Sequence, residues 1–491
     1  MKALPLPKAL VSQPGGLHSV LALALAVLAW RLVAVAQSGA GLYVDEAQYW
    51  VWAQQLEWGY FSKPPGIAVL IRLSTELFGD GLLAVKALAM LCYPATAVLA
   101  WLIGRRLYGD AVAWWSAVLV LTLPIYAWLG LFASTDALLT LFWLAGLWLY
   151  LRAVEGDAWG DWLALGAVCG LGLMSKYTMA VFGGAACLHL FCFHRARLAS
   201  AKPWLAMTLA LAMLAPNLGW NIAHDFPTWR HTADITMHRQ TGNAWLALGA
   251  FLAAQVLSCG PLFGGIALLG LGRLRRVWND PPSRLLLCFA LPLWMVVALQ
   301  ALRGGANANW AAPAFAPAAI VLAAWLVLAQ RQRLLAVGVA LNLALAALVY
   351  HAPAWLAAWA ESTVRYNPYV RAMGWHELAE QLRPFALAHP GAVLLADNRT
   401  LLAHMAYELR DLQPTPVSWN PQAEVADHFK LTTDLRRHLG GDALLIGEQP
   451  PSGDVTARFA AHRKLASLTV RLDARTSRQL EVYLLHGFQG Y

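Results

Sequence analysis

Long apolar runs, cut by short charged loops, leave this chain one environment to fold in: a lipid bilayer. The runs lie near 17–37, 81–103, 111–131, 136–152, 161–175, 177–193, 203–219, 245–271, 284–302, 311–329 and 334–350. A bilayer core about 30 Å thick needs about 20 apolar residues per helix, and a helix satisfies its own backbone where water cannot. Charged residues make up 13% of the chain, and 59% of it is hydrophobic. Soluble domains carry about 25% charge. The pattern predicts a polytopic α-helical membrane protein with about 11 transmembrane helices.

The net charge of +9 sits largely in short loops between the runs. Placed there, it reports topology rather than a nucleic-acid partner. Arg105, Arg106, Arg152, Arg195, Arg197, Lys202, Arg273, Arg275, Arg276, Arg331 and Arg333 all fall on the N-terminal side. Basic loops stay cytoplasmic, so the N-terminus is expected there. The loops at 38–80, 132–136, 220–244 and 303–309 then face outward, as does the chain after about residue 351. Lys2 and Lys8 precede the first run without an evident cleavage site, so that run reads as an uncleaved helix. Cys92, Cys169, Cys187, Cys192, Cys259 and Cys288 lie within or beside apolar runs, so no disulfide framework is expected in the polar C-terminal part.

That part, 351–491, follows a membrane domain of 1–350 and reads as a soluble α/β domain on the outer side. Segments 392–396, 443–446, 465–472 and 480–485 have strand character. Segments 373–388, 400–410 and 424–439 have helical spacing.

The chemistry is expected in the outward loops. Asp45-Glu46 stands among Tyr43, Tyr49, Trp50 and Trp52, aromatics that favour the membrane interface. Such a pair can be a helix N-terminal device, a general base or a metal-binding pair. Lys63, fixed by Pro64-Pro65, suits a phosphate leaving group better than a freely snorkelling amine does. Asp136, at the start of a span, either caps its helix or converges with Asp45. Lys176 interrupts two apolar segments and offers a second cation. Arg230 adds another. The run His224-Asp225 through Arg230-His231 sends one member toward the site, with a metal role for His224 a weak signal. Arg239, Arg303, Asn307 and Asn309 read as interface anchors.

Asp45-Glu46, Phe61-Ser-Lys63-Pro64, Thr135-Asp136-Ala137, Gly172-Leu-Met-Ser-Lys176 and Asn221-Ile-Ala-His224-Asp225 occur in an order that resembles glycosyltransferase family 39. That family includes the protein O-mannosyltransferases and the lipid A aminoarabinose transferases. The resemblance covers roughly residues 15–330. It implies a GT-C membrane fold and a polyprenyl-phosphate sugar donor used on the non-cytoplasmic side. Asp45 would then be the catalytic carboxylate, with Glu46 beside it and Asp136 as partner. Lys63, Lys176 and Arg230 would contact the donor phosphate. The aminoarabinose enzymes carry an acid directly before the lysine; here Ser62 stands there.

The resulting reading is a membrane glycosyltransferase of the bacterial inner membrane, acting on a lipid, glycan or protein acceptor of the envelope. It requires no certain cofactor and leaves a divalent metal open. The rival is a transporter or flippase of lipid-linked sugars, which would place polar residues near mid-membrane and often repeat its fold.

Overall fold

The computed structural model describes residues 16–237, 243–359, 367–473 and 475–491. Arg239 lies outside the described residues. The N-terminal two thirds is helical. It opens with α1 (Leu17–Gln37), α2 (Val44–Gln54), α3 (Gly66–Phe78) and α4 (Leu82–Tyr108). It continues with α5 (Asp110–Thr122), α6 (Pro124–Leu129), α7 (Thr135–Gly156), α8 (Trp159–Ser175) and α9 (Met179–Phe193). Seven described helices are long and apolar enough to cross a membrane, or eight if one bent pair is a single span. That pair, Ala244–Ser258 and Pro261–Asn279, bends by 115°. Gly260 takes φ +89° at the bend, a conformation open to glycine. The apolar run at 111–131 is broken before Pro124, which removes a backbone donor and begins the short α6.

The expected loop at 38–80 is mostly helix. Asp45 and Glu46 lie in the first turn of α2, where the helix dipole favours acids. Pro65 precedes α3, whose Val69, Leu73, Leu77 and Phe78 remain exposed. An apolar stripe left open beside a bundle of spans suits a helix lying in the interface.

The helix ends sort into two groups. The basic loops meet one another: Arg106 pairs with Glu155 at 2.6 Å, and Arg197 and Lys202 hold Asp157 at 2.6 and 2.9 Å. At the other end, Ala133 N donates to Glu46 at 2.7 Å, Asn217 to Trp58 O at 2.7 Å, and Thr228 to Tyr60 O at 2.9 Å. The loops expected to face outward therefore gather together.

The C-terminal part holds a five-stranded sheet in the order β2-β1-β3-β5-β4. The strands are β1 (Val393–Ala396), β2 (Pro416–Ser418), β3 (Ala443–Gly447), β4 (Phe459–Arg471) and β5 (Ser477–Phe488). β1 runs parallel to β2 and β3, while β5 pairs antiparallel with β3 and β4. The sequence reading missed β2, whose three residues are too short to show a period. The helical pattern at 424–439 resolves into two short pieces, His428–Thr432 and Leu435–His438, with Thr433 extended between them.

Shortly after β1 comes Asn398, which caps helix Arg399–Glu408 by accepting from Thr400 N at 2.7 Å. That helix packs on α2. The rings of Trp50 and Tyr407 lie 5.3 Å apart, and Tyr407 Oη donates to Asp80 O at 3.2 Å. His428 packs edge-on against both Trp52 and Tyr60, which stack on each other at 4.5 Å. The sheet region is thus seated on the aromatic segment that carries Asp45.

Candidate active site

Asp45 and Glu46 part company on α2, because successive helical residues point about 100° apart. Glu46 turns inward. It is 3% exposed, accepts two bonds of 2.6 Å from Lys86 Nζ, and also accepts from Tyr43 N at 3.0 Å and Ala133 N at 2.7 Å. Both carboxylate oxygens are occupied, so it does not stand beside Asp45 as a pair. Asp45 is 60% exposed. Its Oδ1 accepts from Arg399 Nη2 at 3.2 Å, while Arg399 Nη1 donates to Gln48 Oε1 at 2.7 Å. No described residue bonds Asp45 Oδ2.

Asp136 lies in the first turn of α7 and is 4% exposed. Its Oδ1 accepts from Lys176 Nζ at 2.6 Å and its Oδ2 from Asn309 Nδ2 at 2.7 Å. Lys176 is extended at the end of α8, where the helix stops and the side chain can reach across to α7. The next residue is pinned as well: Tyr177 Oη donates to Asn217 Oδ1 at 2.6 Å.

Lys63 and Lys176 line one cavity of about 510 Å³ with Ser62, His231, Arg303 and Trp310. Lys63 makes no ion pair among the described residues. Burial, aided by nearby Lys176, pushes its amine down to about 8, against the pull of Asp136 and Asp45. His231 rests against Phe61, with rings 4.9 Å apart. Its imidazole is held below the ordinary value by burial, then by Lys63 and Arg399. The Tyr49 hydroxyl is raised by burial and by the charges of Asp45 and Asp136. These mutual fields put Asp45, Lys63, Asp136, Lys176, His231 and Arg399 in one neighbourhood.

Within the His224–His231 run, His231 is the residue that reaches the cavity. His224 instead stacks on Trp220 at 4.3 Å, and its Nδ1 bonds Trp220 O at 2.8 Å. Asp225 is exposed at φ 61°, and Arg230 is exposed outside the cavity lining. No three His, Cys, Asp or Glu side chains converge to hold a metal ion among the described residues. The sequence reading undervalued Asn309 and Arg303 and missed Arg399. An asparagine beside a lone buried acid is invisible without tertiary contacts. The signal for Arg399 was its position just after β1, since the carboxyl ends of parallel strands are where open α/β sheets present ligand groups.

Residues 62–220 match the family model described as dolichyl-phosphate-mannose-protein mannosyltransferase. The chain is 31% identical over 434 residues to the lipid A galacturonosyltransferase RgtD of Rhizobium johnstonii, covering 85% of this chain and 89% of that one. It is 27% identical over 357 residues to an undecaprenyl phosphate-α-4-amino-4-deoxy-L-arabinose arabinosyl transferase of Pseudomonas aeruginosa, covering 64% of this chain and 62% of that one. The fold matches ArnT from Cupriavidus metallidurans bound to undecaprenyl phosphate, with a TM-score of 0.63 at 16% identity, over 95% of this chain and 97% of that one. The chain belongs to glycosyltransferase family 39 and is an integral membrane glycosyltransferase with a GT-C, ArnT-like fold.

Proposed function

We infer that this enzyme transfers a sugar from a polyprenyl-phosphate donor, of the undecaprenyl type, to a lipid A-type acceptor at the non-cytoplasmic face of the bacterial inner membrane. The observation that carries this reading is the meeting of Asp45, Lys63 and the Asp136–Lys176 pair at one end of the helices, beside a cavity of about 510 Å³. The chain crosses the membrane about 11 times, counting short and bent helices, with the sheet region as an outer domain over residues 351–491.

In this mechanism Asp45 takes the proton from an acceptor hydroxyl. The oxygen attacks the anomeric carbon as the bond from that carbon to the phosphate oxygen breaks. The phosphate leaves with the electron pair, and Lys63 and Lys176 meet its second negative charge. Preorganised cations act most strongly where charge develops in the transition state. The proton passes from Asp45 to solvent after the acceptor product leaves. Glu46 plays a separate, structural part, clamping α2 to α4 and to the turn before α7.

The two named relatives differ in sugar, one a galacturonosyl and one an aminoarabinosyl transferase. Ser62 replaces the acid that precedes the lysine in the aminoarabinose enzymes, which removes a negative charge suited to a cationic sugar. Purified enzyme in detergent should be given undecaprenyl-phosphate galacturonic acid and undecaprenyl-phosphate aminoarabinose with lipid A, and products read by mass spectrometry. Transfer of an acidic sugar is expected. No transfer from any polyprenyl-phosphate sugar to lipid A would overturn the reading.

A further inference from the structure

Arg399 belongs to the sheet region, yet its guanidinium reaches the N-terminal helix that carries Asp45. One nitrogen, Nη1, is fixed by Gln48 Oε1 at 2.7 Å. The other, Nη2, donates to Asp45 Oδ1 at 3.2 Å. A guanidinium usually grips a carboxylate with both nitrogens on both oxygens. Here Gln48 takes half of the fork, so the carboxylate is held through one oxygen and Oδ2 stays without a partner among the described residues. Gln48 and Asp45 lie about one turn apart on the same face of α2, so the fork spans that face.

The contact contributes little to holding the protein together. Arg399 and Asp45 are 39% and 60% exposed, and exposed ion pairs add little stability. The packing of Tyr407 on Trp50 and of His428 on Trp52 already seats the sheet region. The charged groups that share neighbours with Asp45 are Glu46 beside it on α2, Lys63 from its own loop, His231 and Asp234 from helix Pro227–Met237, Asp136 and Lys176 from α7 and the end of α8, and Arg399. Lys63 and Lys176 belong to the donor cavity, whereas Arg399 is absent from its lining.

We propose that Arg399 is a positioning residue for the transfer step: anchored on Gln48, it holds Asp45 by one oxygen and leaves the other for the acceptor hydroxyl. This makes the C-terminal region part of the catalytic apparatus. A base must sit within hydrogen-bond reach of the proton it takes, so a carboxylate free to rotate loses turnover more than substrate binding. The inference rests on Asp45 being the base.

The test is a double-substitution cycle in the full-length enzyme: Arg399→Ala, Asp45→Asn and both together, with turnover and donor KM measured. Arg399→Ala is expected to lower turnover about tenfold or more while donor KM changes less than about threefold, and in the Asp45→Asn background it should cost nothing further. Arg399→Lys keeps the charge but not the fork, so it should recover part of the loss. If Arg399→Ala fails to fold, Arg399→Gln carries the same comparison. Asp45→Asn inactive with Arg399→Ala at wild-type turnover would overturn this inference and leave the proposed function standing. So would losses that simply add. An active Asp45→Asn enzyme would overturn the role of Asp45 itself.

Discussion

Asp136 and Lys176 form an ion pair of 2.6 Å between the start of α7 and the end of α8. Asn309 occupies the second Asp136 oxygen at 2.7 Å. The acid is therefore fully engaged and Lys176 partly neutralised. Lys63 and Arg303 are left as the cations of the cavity without an ion-pair partner among the described residues, and Lys63 is the amine best placed to meet a phosphate.

A pH dependence follows. Burial and Lys176 bring the Lys63 amine down to about 8. It is charged below that value and loses its charge as pH rises through it. The kcat/KM for donor should fall above about pH 8, and Lys63→Arg should remove that limb because a guanidinium stays protonated. Donor binding should blunt the effect in kcat, since a bound phosphate favours the charged amine. A kcat/KM profile that stays flat to pH 10 in the wild type would count against Lys63 as the phosphate contact.

Glu46 and Lys86 are each 3% exposed and bonded at 2.6 Å. Removing one member of such a pair strands the other. Glu46→Gln should therefore destabilise the protein by about 3–5 kcal/mol, read by thermal unfolding in detergent. Glu46→Leu combined with Lys86→Met should recover much of that loss. A Glu46→Gln enzyme of normal stability but without turnover would assign Glu46 to the chemistry instead.

Gly66 sits where α3 meets the end of α8. A methyl there would stand 2.8 Å from Met174 O and 2.9 Å from Ser175 Cα, backbone atoms that cannot swing aside. Gly66→Ala should cost about 1–3 kcal/mol and reduce turnover by moving Lys63 relative to Lys176. Gly160→Ala, with nothing within 4 Å, is the control and should be silent.

Much of this arrangement was legible from residues alone. The apolar runs located the helices, since their period and length are set by burial in hydrocarbon. Lys63, Asp136 and Lys176 stood out because charge beside such runs is costly. Asp45 and Glu46 could not be told apart: both are acids in one turn, and what draws Glu46 inward is Lys86 and the Ala133 amide, 40 and 87 positions away. The same limit hid His231 behind His224, and Arg399 behind 354 positions of chain. Pairings over such distances are fixed by packing, which leaves no local period to read.

Orientation gives a separate test. The basic loops cluster at the end opposite Asp45. A reporter fused after Tyr491 should be active only in the non-cytoplasmic compartment. Activity in the cytoplasm would place the site and its donor on the other leaflet.

The most direct measurement of the central claim is single-turnover transfer by Asp45→Asn enzyme with bound polyprenyl-phosphate sugar. Asparagine keeps the shape and loses the base. Donor binding should stay close to wild type while the transfer rate falls by about 10²–10⁴-fold. A folded, correctly inserted Asp45→Asn enzyme that transfers within about threefold of wild type, far less than a lost base costs, would contradict it.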